Sequence, residues 1–130
     1  PAEPGFHAFC YTVPAGRAPR SFVVAGSGEW PEGGRFPQDI VARGDVSPAG
    51  LRRKALWVLE TMQARLAGLG ARWSEASATQ VYTVHDFHPL AADIAARAGS
   101  GLEWNYCRPP IEEIGFEMDV RRVTTERLLA

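Results

Sequence analysis

The chain is short of almost everything that ties a protein to a special environment. It holds two cysteines, Cys10 and Cys107, and they lack CxxC spacing. Such thiols point to a reducing compartment, with one disulfide left open as the alternative. No apolar run approaches the length that spans a bilayer, so no membrane partner is expected. The opening PAEPGFHAF has neither a charged n-region nor an apolar h-region. It does not read as a signal peptide, and a cytoplasmic location is expected. The first residue is Pro1, which fits either removal of an initiator Met or a fragment of a longer chain. Neither charge sign dominates: 14 Lys and Arg face 15 Asp and Glu, for a net charge of -1. That excludes the broad basic field a nucleic-acid binder needs.

What is present is an ordinary globular composition, 45% hydrophobic and 22% charged over 130 residues. It favours one domain, residues 1–130, able to bury a core without metal or disulfides.

Residues 7–13 (HAFCYTV) and 21–25 (SFVVA) are β-rich and flank a turn with Pro, Gly and Arg, which predicts a hairpin. Residues 27–34 read as a loop, and a short edge strand is expected near Ile40 and Val41. Ser47 and Pro48 supply an N-cap and a first helical residue. Leu51, Ala55, Val58, Leu59, Met62, Leu66 and Leu69 then form one helical stripe, and Gly70 stops it. Arg52, Arg53 and Lys54 oppose the helix dipole in the first turn; a solvated face is expected there. Residues 76–85 predict a central strand and residues 86–98 a second helix.

Residues 102–123, LEWNYCRPPIEEIGFEMDVRRV, predict two strands joined at Pro109 and Pro110. Strand side chains alternate between faces. Ile114, Phe116, Met118 and Val120 share an apolar face that suits helix packing. Gly115, Glu117, Asp119 and Arg121 share the opposite one. Leu102, Trp104, Tyr106 and Arg108 separate in the same way from Glu103, Asn105 and Cys107. The polar face is either a solvated sheet or, in a cleft or between subunits, a binding surface. The element order predicts an α+β fold, a mixed sheet with both helices on one face.

Four groups carry candidate chemistry. His85 and His88 around Asp86 can bind a divalent metal, but no third ligand is near and Asp86 or His88 can equally cap the helix. No metal and no cofactor are therefore expected. Cys107 is a possible nucleophile without an evident activating base, so a structural role is expected. Trp104 and Tyr106 with Arg108 can line a pocket for a planar anion, Arg being suited to a carboxylate. Asn105 and Cys107 adjoin the same candidate substrate surface.

Four stretches together resemble the RidA family, also called the YjgF family. They are SFVVAGSGEWP, the helix LRRKALWVLETMQARLAGLGARWSEA, TQVYTVHDFHPLAA and RPPIEEIGFEMDVRRV. The resemblance covers most of the chain. It implies a chorismate-mutase-like fold, a homotrimer and ligand sites between subunits. It also implies that Glu117 is the acidic residue that positions a water. The family's imine deaminases carry an Arg, before a Leu-Pro, that grips the substrate carboxylate. The Leu-Pro is Pro109-Pro110 here, and Gly101 or Leu102 holds the place of the Arg, depending on whether one counts from Pro110 or Glu117. Arg108 is the nearest replacement.

Two functions follow as expectations. One is a divergent Rid-like hydrolase or deaminase acting on a small enamine, imine or related conjugated acid. In it Glu117 activates water, Arg108 holds an anionic group, and His85 or His88 moves a proton. The other is a non-catalytic module that binds a small anionic metabolite or assembles a larger enzyme. The missing Arg favours the second; the grouping of Glu117, Asp119, Arg121 and Asn105 favours the first.

Overall fold

A computed structural model describes residues 9–17, 19–98 and 101–127. Four strands form one sheet in the order β1-β4-β2-β3. They are β1 (Phe22–Gly28), β2 (Ala78–Tyr82), β3 (Leu102–Asn105) and β4 (Glu117–Arg122). β4 runs antiparallel to both β1 and β2, whereas β2 and β3 are parallel. A parallel pair needs a long crossover, and helix α2 (His88–Ala98) supplies it.

Helix α1 (Pro48–Gly68) starts where its sequence says it should. The Ser47 hydroxyl accepts from the Gly50 N–H at 3.1 Å, and Pro48 follows without an N–H to satisfy. The helix ends in a Schellman turn: Ala71 N–H donates to Leu66 O, and Gly70 N–H to Ala67 O, both at 2.8 Å. That turn needs a positive φ, and Gly70 provides one of 62°. Leu51, Ala55, Val58, Leu59, Met62 and Leu66 are buried, but Leu69, the last member of the predicted stripe, is exposed beyond the helix end.

The core joins this stripe to Leu90, Ile94 and Ala98 of α2 and to Phe22, Val24, Val81, Met118 and Val120 of the sheet. Both helices therefore cover the same sheet face, and the alternation in β4 sorts as its sequence predicts. Burying each large aliphatic residue contributes roughly 1.5–3 kcal/mol.

Three sequence expectations fail. Residues 9–13 pair with no strand; Phe9, Tyr11 and Val13 are exposed, so the predicted hairpin is absent among the described residues. Residues 7 and 8 of that predicted strand lie outside the described residues. Ile40 and Val41 form no strand: Val41 lies in a turn, and Ile40, just before it, is buried. The two strands predicted on either side of Pro109-Pro110 both form, but they do not lie next to each other as expected of a joined pair, because β2 lies between them. Among the described residues no helix is long and apolar enough to cross a membrane.

Candidate active site

The sheet face away from the helices is polar, and strand register arranges it in rows. Glu117, Tyr82 and Asn105 stand side by side; Asp119, Gln80 and Glu103 form the next row. In the second row the Gln80 amide donates to Glu103 at 2.6 Å. The Tyr82 hydroxyl reaches across from the first row to Asp119 Oδ2 at 2.6 Å and to Gln80 Oε1 at 2.5 Å. Arg121 closes the network through Gln80 at 2.9 Å, Asp119 at 3.2 Å, and Glu126. Burial raises the Tyr82 hydroxyl pKa, and its hydrogen bond to Asp119 adds to that. Burial also lifts the Asp119 carboxyl, against the opposing pull of Tyr82 and Arg121.

Glu117 is different. It is half-buried, and its carboxylate makes no hydrogen bond or ion pair among the described residues. Burial raises its carboxyl above the ordinary range, and the charges of Asp119 and Glu29 push the same way. A bulge in β1 creates its place. The ladder shifts between Val24 and Ser27, so Ala25 and Gly26 both lie exposed on the polar side. A Cβ on Gly26 would overlap the Glu117 Oε1, so only glycine leaves room for the carboxylate.

Beneath this end of the sheet lies a buried ion pair. Lys54 Nζ meets Glu29 Oε1 at 2.8 Å and also donates to Val41 O at 3.2 Å. Glu29 accepts from Gly115 N–H at 2.6 Å and Phe116 N–H at 2.9 Å. The basic run Arg52, Arg53 and Lys54, which falls in the second turn of α1 rather than the first, is thus not simply solvated. Lys54 is buried, Arg53 pairs with Asp45, and Arg52 pairs with Asp93.

The predicted site residues separate into groups. Glu117 and Asn105 share the polar face in one row. Trp104 is on the helix side, where its ring lies 4.9 Å from Phe87 and its Nε1 donates to Thr83 O at 2.9 Å. Tyr106 is exposed beside it, with ring centroids 5.8 Å apart. β3 ends at Asn105, so Cys107 and Arg108 leave the strand; both are exposed, and the Arg108 guanidinium meets no partner among the described residues. His88 is exposed against Asp86, with Nδ1 at 2.7 Å and its backbone N–H at 3.0 Å. Asp86 therefore caps α2, and the His88 backbone N–H holds its carboxyl below the usual range. His85 is half-buried. It borders a cleft of about 470 Å³ between the starts of the helices, walled by Leu51, Arg52, Pro89 and Leu90. No group of three or more His, Cys, Asp or Glu side chains suited to a metal ion forms among the described residues.

Gly101, one of the two places counted for the family's Arg, cannot take a side chain. Its φ is 85°, and a Cβ there would lie 2.6 Å from Ser77 O. Leu102 is half-buried against the core. Sequence reasoning missed Tyr82, Gln80, Glu29 and Lys54 as partners of this face. For Tyr82 and Gln80 the signal was present: they alternate in a strand next to an acidic one. For Glu29 and Lys54, which are remote in sequence, there was none.

Comparisons with known proteins agree with this architecture. The family described as 2-aminomuconate deaminase CnbZ matches residues 1–127. A 2-amino-5-chloromuconate deaminase of Comamonas testosteroni is 45% identical over 136 aligned residues, covering 99% of this chain and 54% of that protein. The chain thus spans about half the length of this curated relative. The crystal structure of YyfB from Yersinia pestis, a Rid-family protein of unknown function, superposes with a TM-score of 0.57 at 18% identity, covering 79% of this chain and 77% of that one. At that identity the likeness concerns the fold. The fold is Rid-like, and the chain belongs to the 2-aminomuconate deaminase CnbZ family.

Proposed function

We propose that the domain hydrolyses the carbon–nitrogen bond of a 2-aminomuconate-type enamine. The observation that carries this reading is Glu117: a half-buried carboxylate without a partner among the described residues, on a polar sheet face, in a chain of this family. A carboxylate pushed up by burial and by neighbouring charge is suited to exchanging protons near neutral pH.

The chemistry needs little else. A proton adds to the enamine carbon next to the amino-bearing one, giving a C=N double bond. Water adds to the nitrogen-bearing carbon of that C=N bond, the C–N bond breaks, and a ketone forms. One water is consumed and one ammonia leaves, with no oxidation or reduction. Glu117 orients the water, takes its proton as it adds, and returns a proton to the departing nitrogen. Asp119 is the second carboxylate of the same face, and the Tyr82 hydroxyl, which keeps its proton, holds it in place by a hydrogen bond.

A 2-aminomuconate carries two carboxylates, and the polar face holds Glu117, Asp119 and Glu103 against Arg121, already bound to Asp119 and Glu126. Cations from elsewhere must balance the substrate. Arg108, exposed beyond β3, is the proposed donor, with Asn105 for orientation and the exposed Tyr106 and Cys107 bordering the approach, while Trp104, packed on the helix side, backs Tyr106 rather than lining this face. His85 and His88 are the further candidates for proton transfer. A homotrimer with the site between subunits would place the polar face against another copy, and light scattering that finds a monomer at micromolar concentration defeats that part.

The test is ammonia release from freshly generated 2-aminomuconate. Wild type is expected to be active, Glu117→Gln nearly inactive, and Arg108→Ala raised in KM. With neither Gly101 nor Leu102 offering a guanidinium, 2-iminopropanoate is expected to be a poor substrate. The non-catalytic reading draws support from that same missing guanidinium; saturable binding of the dianion without ammonia release would establish it instead.

A further inference from the structure

We propose that Glu29, with Lys54 as its counter-charge, is a positioning residue for the deamination, fixing the backbone that aims Glu117. The proposal rests on the role given to Glu117 above. Pairing of β1 with β4 begins at Gly28 and Glu117, so no β1 residue continues the ladder upstream of Glu117. The chain turns away there, with Trp30 N–H donating to Gly28 O at 2.8 Å. The Glu29 side chain takes the place of the missing strand. Its two oxygens accept the N–H groups of Gly115 and Phe116, the two residues immediately before Glu117. A single rigid carboxylate thereby holds two consecutive peptide units.

The pair is an expensive choice if it serves stability alone. Buried ion pairs can often be replaced by apolar residues without loss. Glu29 is fully buried and Lys54 nearly so, and both are satisfied by protein atoms. Lys54 comes from α1 and Glu29 directly follows β1, so the pair also ties the helix to the segment that leads into β4. Position has an electrostatic consequence. Glu117 faces Asp119 on its own strand, Tyr82 on β2 and Glu29 behind it, with Lys54 behind Glu29 from α1. His85, on the connection into α2, lies near Gly115; a Cβ there would be 3.7 Å from its ring. Of the carboxylates, Asp119 and Glu29 disfavour the ionised form of Glu117.

The test compares wild type with Glu29→Gln and with Glu29→Gln plus Lys54→Met, all in the full chain. Three quantities are read: the unfolding midpoint, kcat and KM for 2-aminomuconate against pH, and the Glu117 carboxyl titration by ¹³C NMR. The double variant is expected to fold, to lose about tenfold in kcat with KM little changed, and to move both the acid limb of kcat/KM and the Glu117 titration to lower pH. A folded double variant with unchanged kcat and an unchanged Glu117 titration overturns the proposal. If the double variant does not fold, the same readings on Glu29→Gln decide. A wild type that releases no ammonia defeats the deamination itself, while the NMR titration still reports whether Glu29 governs Glu117. Normal wild-type activity that survives Glu117→Gln rejects the premise.

Discussion

Glu29 and Glu117 lie at the same end of the sheet in opposite circumstances. Glu29 is fully buried, and its carboxylate accepts from Lys54 and two backbone N–H groups. Glu117 is half-buried and its carboxylate has no partner among the described residues. The contrast separates two uses of a carboxylate. A charge whose bonds are all made within the protein holds backbone in place. A charge withdrawn from water without such bonds remains available to a substrate or a water.

The largest effect should come from the unsatisfied member. Glu117→Gln keeps the shape and removes the exchangeable proton. General-base loss costs about 10²–10⁴-fold, so kcat should fall into that range while the protein stays folded. Ammonia release and circular dichroism on the same sample check both halves. Activity within a factor of about three of wild type would remove Glu117 from the mechanism.

The satisfied member should show the reverse pattern, a large effect on folding. Lys54→Met leaves Glu29 buried without its cation, and breaking a buried pair costs about 3–5 kcal/mol. Adding Glu29→Gln should restore most of that loss in urea unfolding. If the single substitution is harmless, Glu29 does not depend on Lys54 and the comparison fails on its structural side.

A third substitution tests the space between strands. Gly26→Ala places a Cβ where the Glu117 Oε1 now sits. The carboxylate must move, and a misplaced catalytic group costs up to about 10²-fold. We expect a fall of roughly tenfold in kcat with little change in stability, because the atom displaced is the end of a flexible side chain on an exposed strand position. A fully active Gly26→Ala protein would show that Glu117 works from another position.

How far the site could be read from sequence depends on which contacts were local. Alternation in residues 114–121 separated Phe116, Met118 and Val120 from Glu117, Asp119 and Arg121, because a strand has a fixed period. The 3.6-residue stripe and its Ser47 and Gly70 ends located α1 for the same reason. Strand order was not legible. Residues 102–105 and 117–122 are close in sequence, yet β2 is inserted between them, and only pairing across the whole chain decides that. Residues 9–13 have β-forming side chains but no partner strand, and propensity without pairing does not make a strand. Glu29 and Lys54 gave no sign in the sequence: each is a common charged residue, and only the fold brings them together. Arg52, Arg53 and Lys54 looked alike in sequence, and burial of Lys54 alone set them apart.

The smallest effect concerns stability against pH, and it divides the two carboxylates most finely. Burial raises the folded-state carboxyl of Glu117 above its ordinary value. A group raised in the folded state binds more protons there than in the unfolded chain. The stability it supplies is present below the unfolded value and is lost as pH rises through the folded one. Replacing Glu117 by Gln removes that loss. The difference between variant and wild type should therefore shift in favour of the variant from about pH 3.5 to about pH 8. The side chain is half-exposed, so solvent screens the effect, and it should be under about 1 kcal/mol. Asp39, Asp45, Asp86 and Glu113, held low by hydrogen bonds from Arg35, Ser47, His88 and Arg43, are the same in both proteins and cancel in the comparison. Urea midpoints at the two pH values measure it. A difference that is the same at both would mean that Glu117 ionises as freely in the folded protein as in the unfolded chain, and that its surroundings do not prepare it for proton exchange.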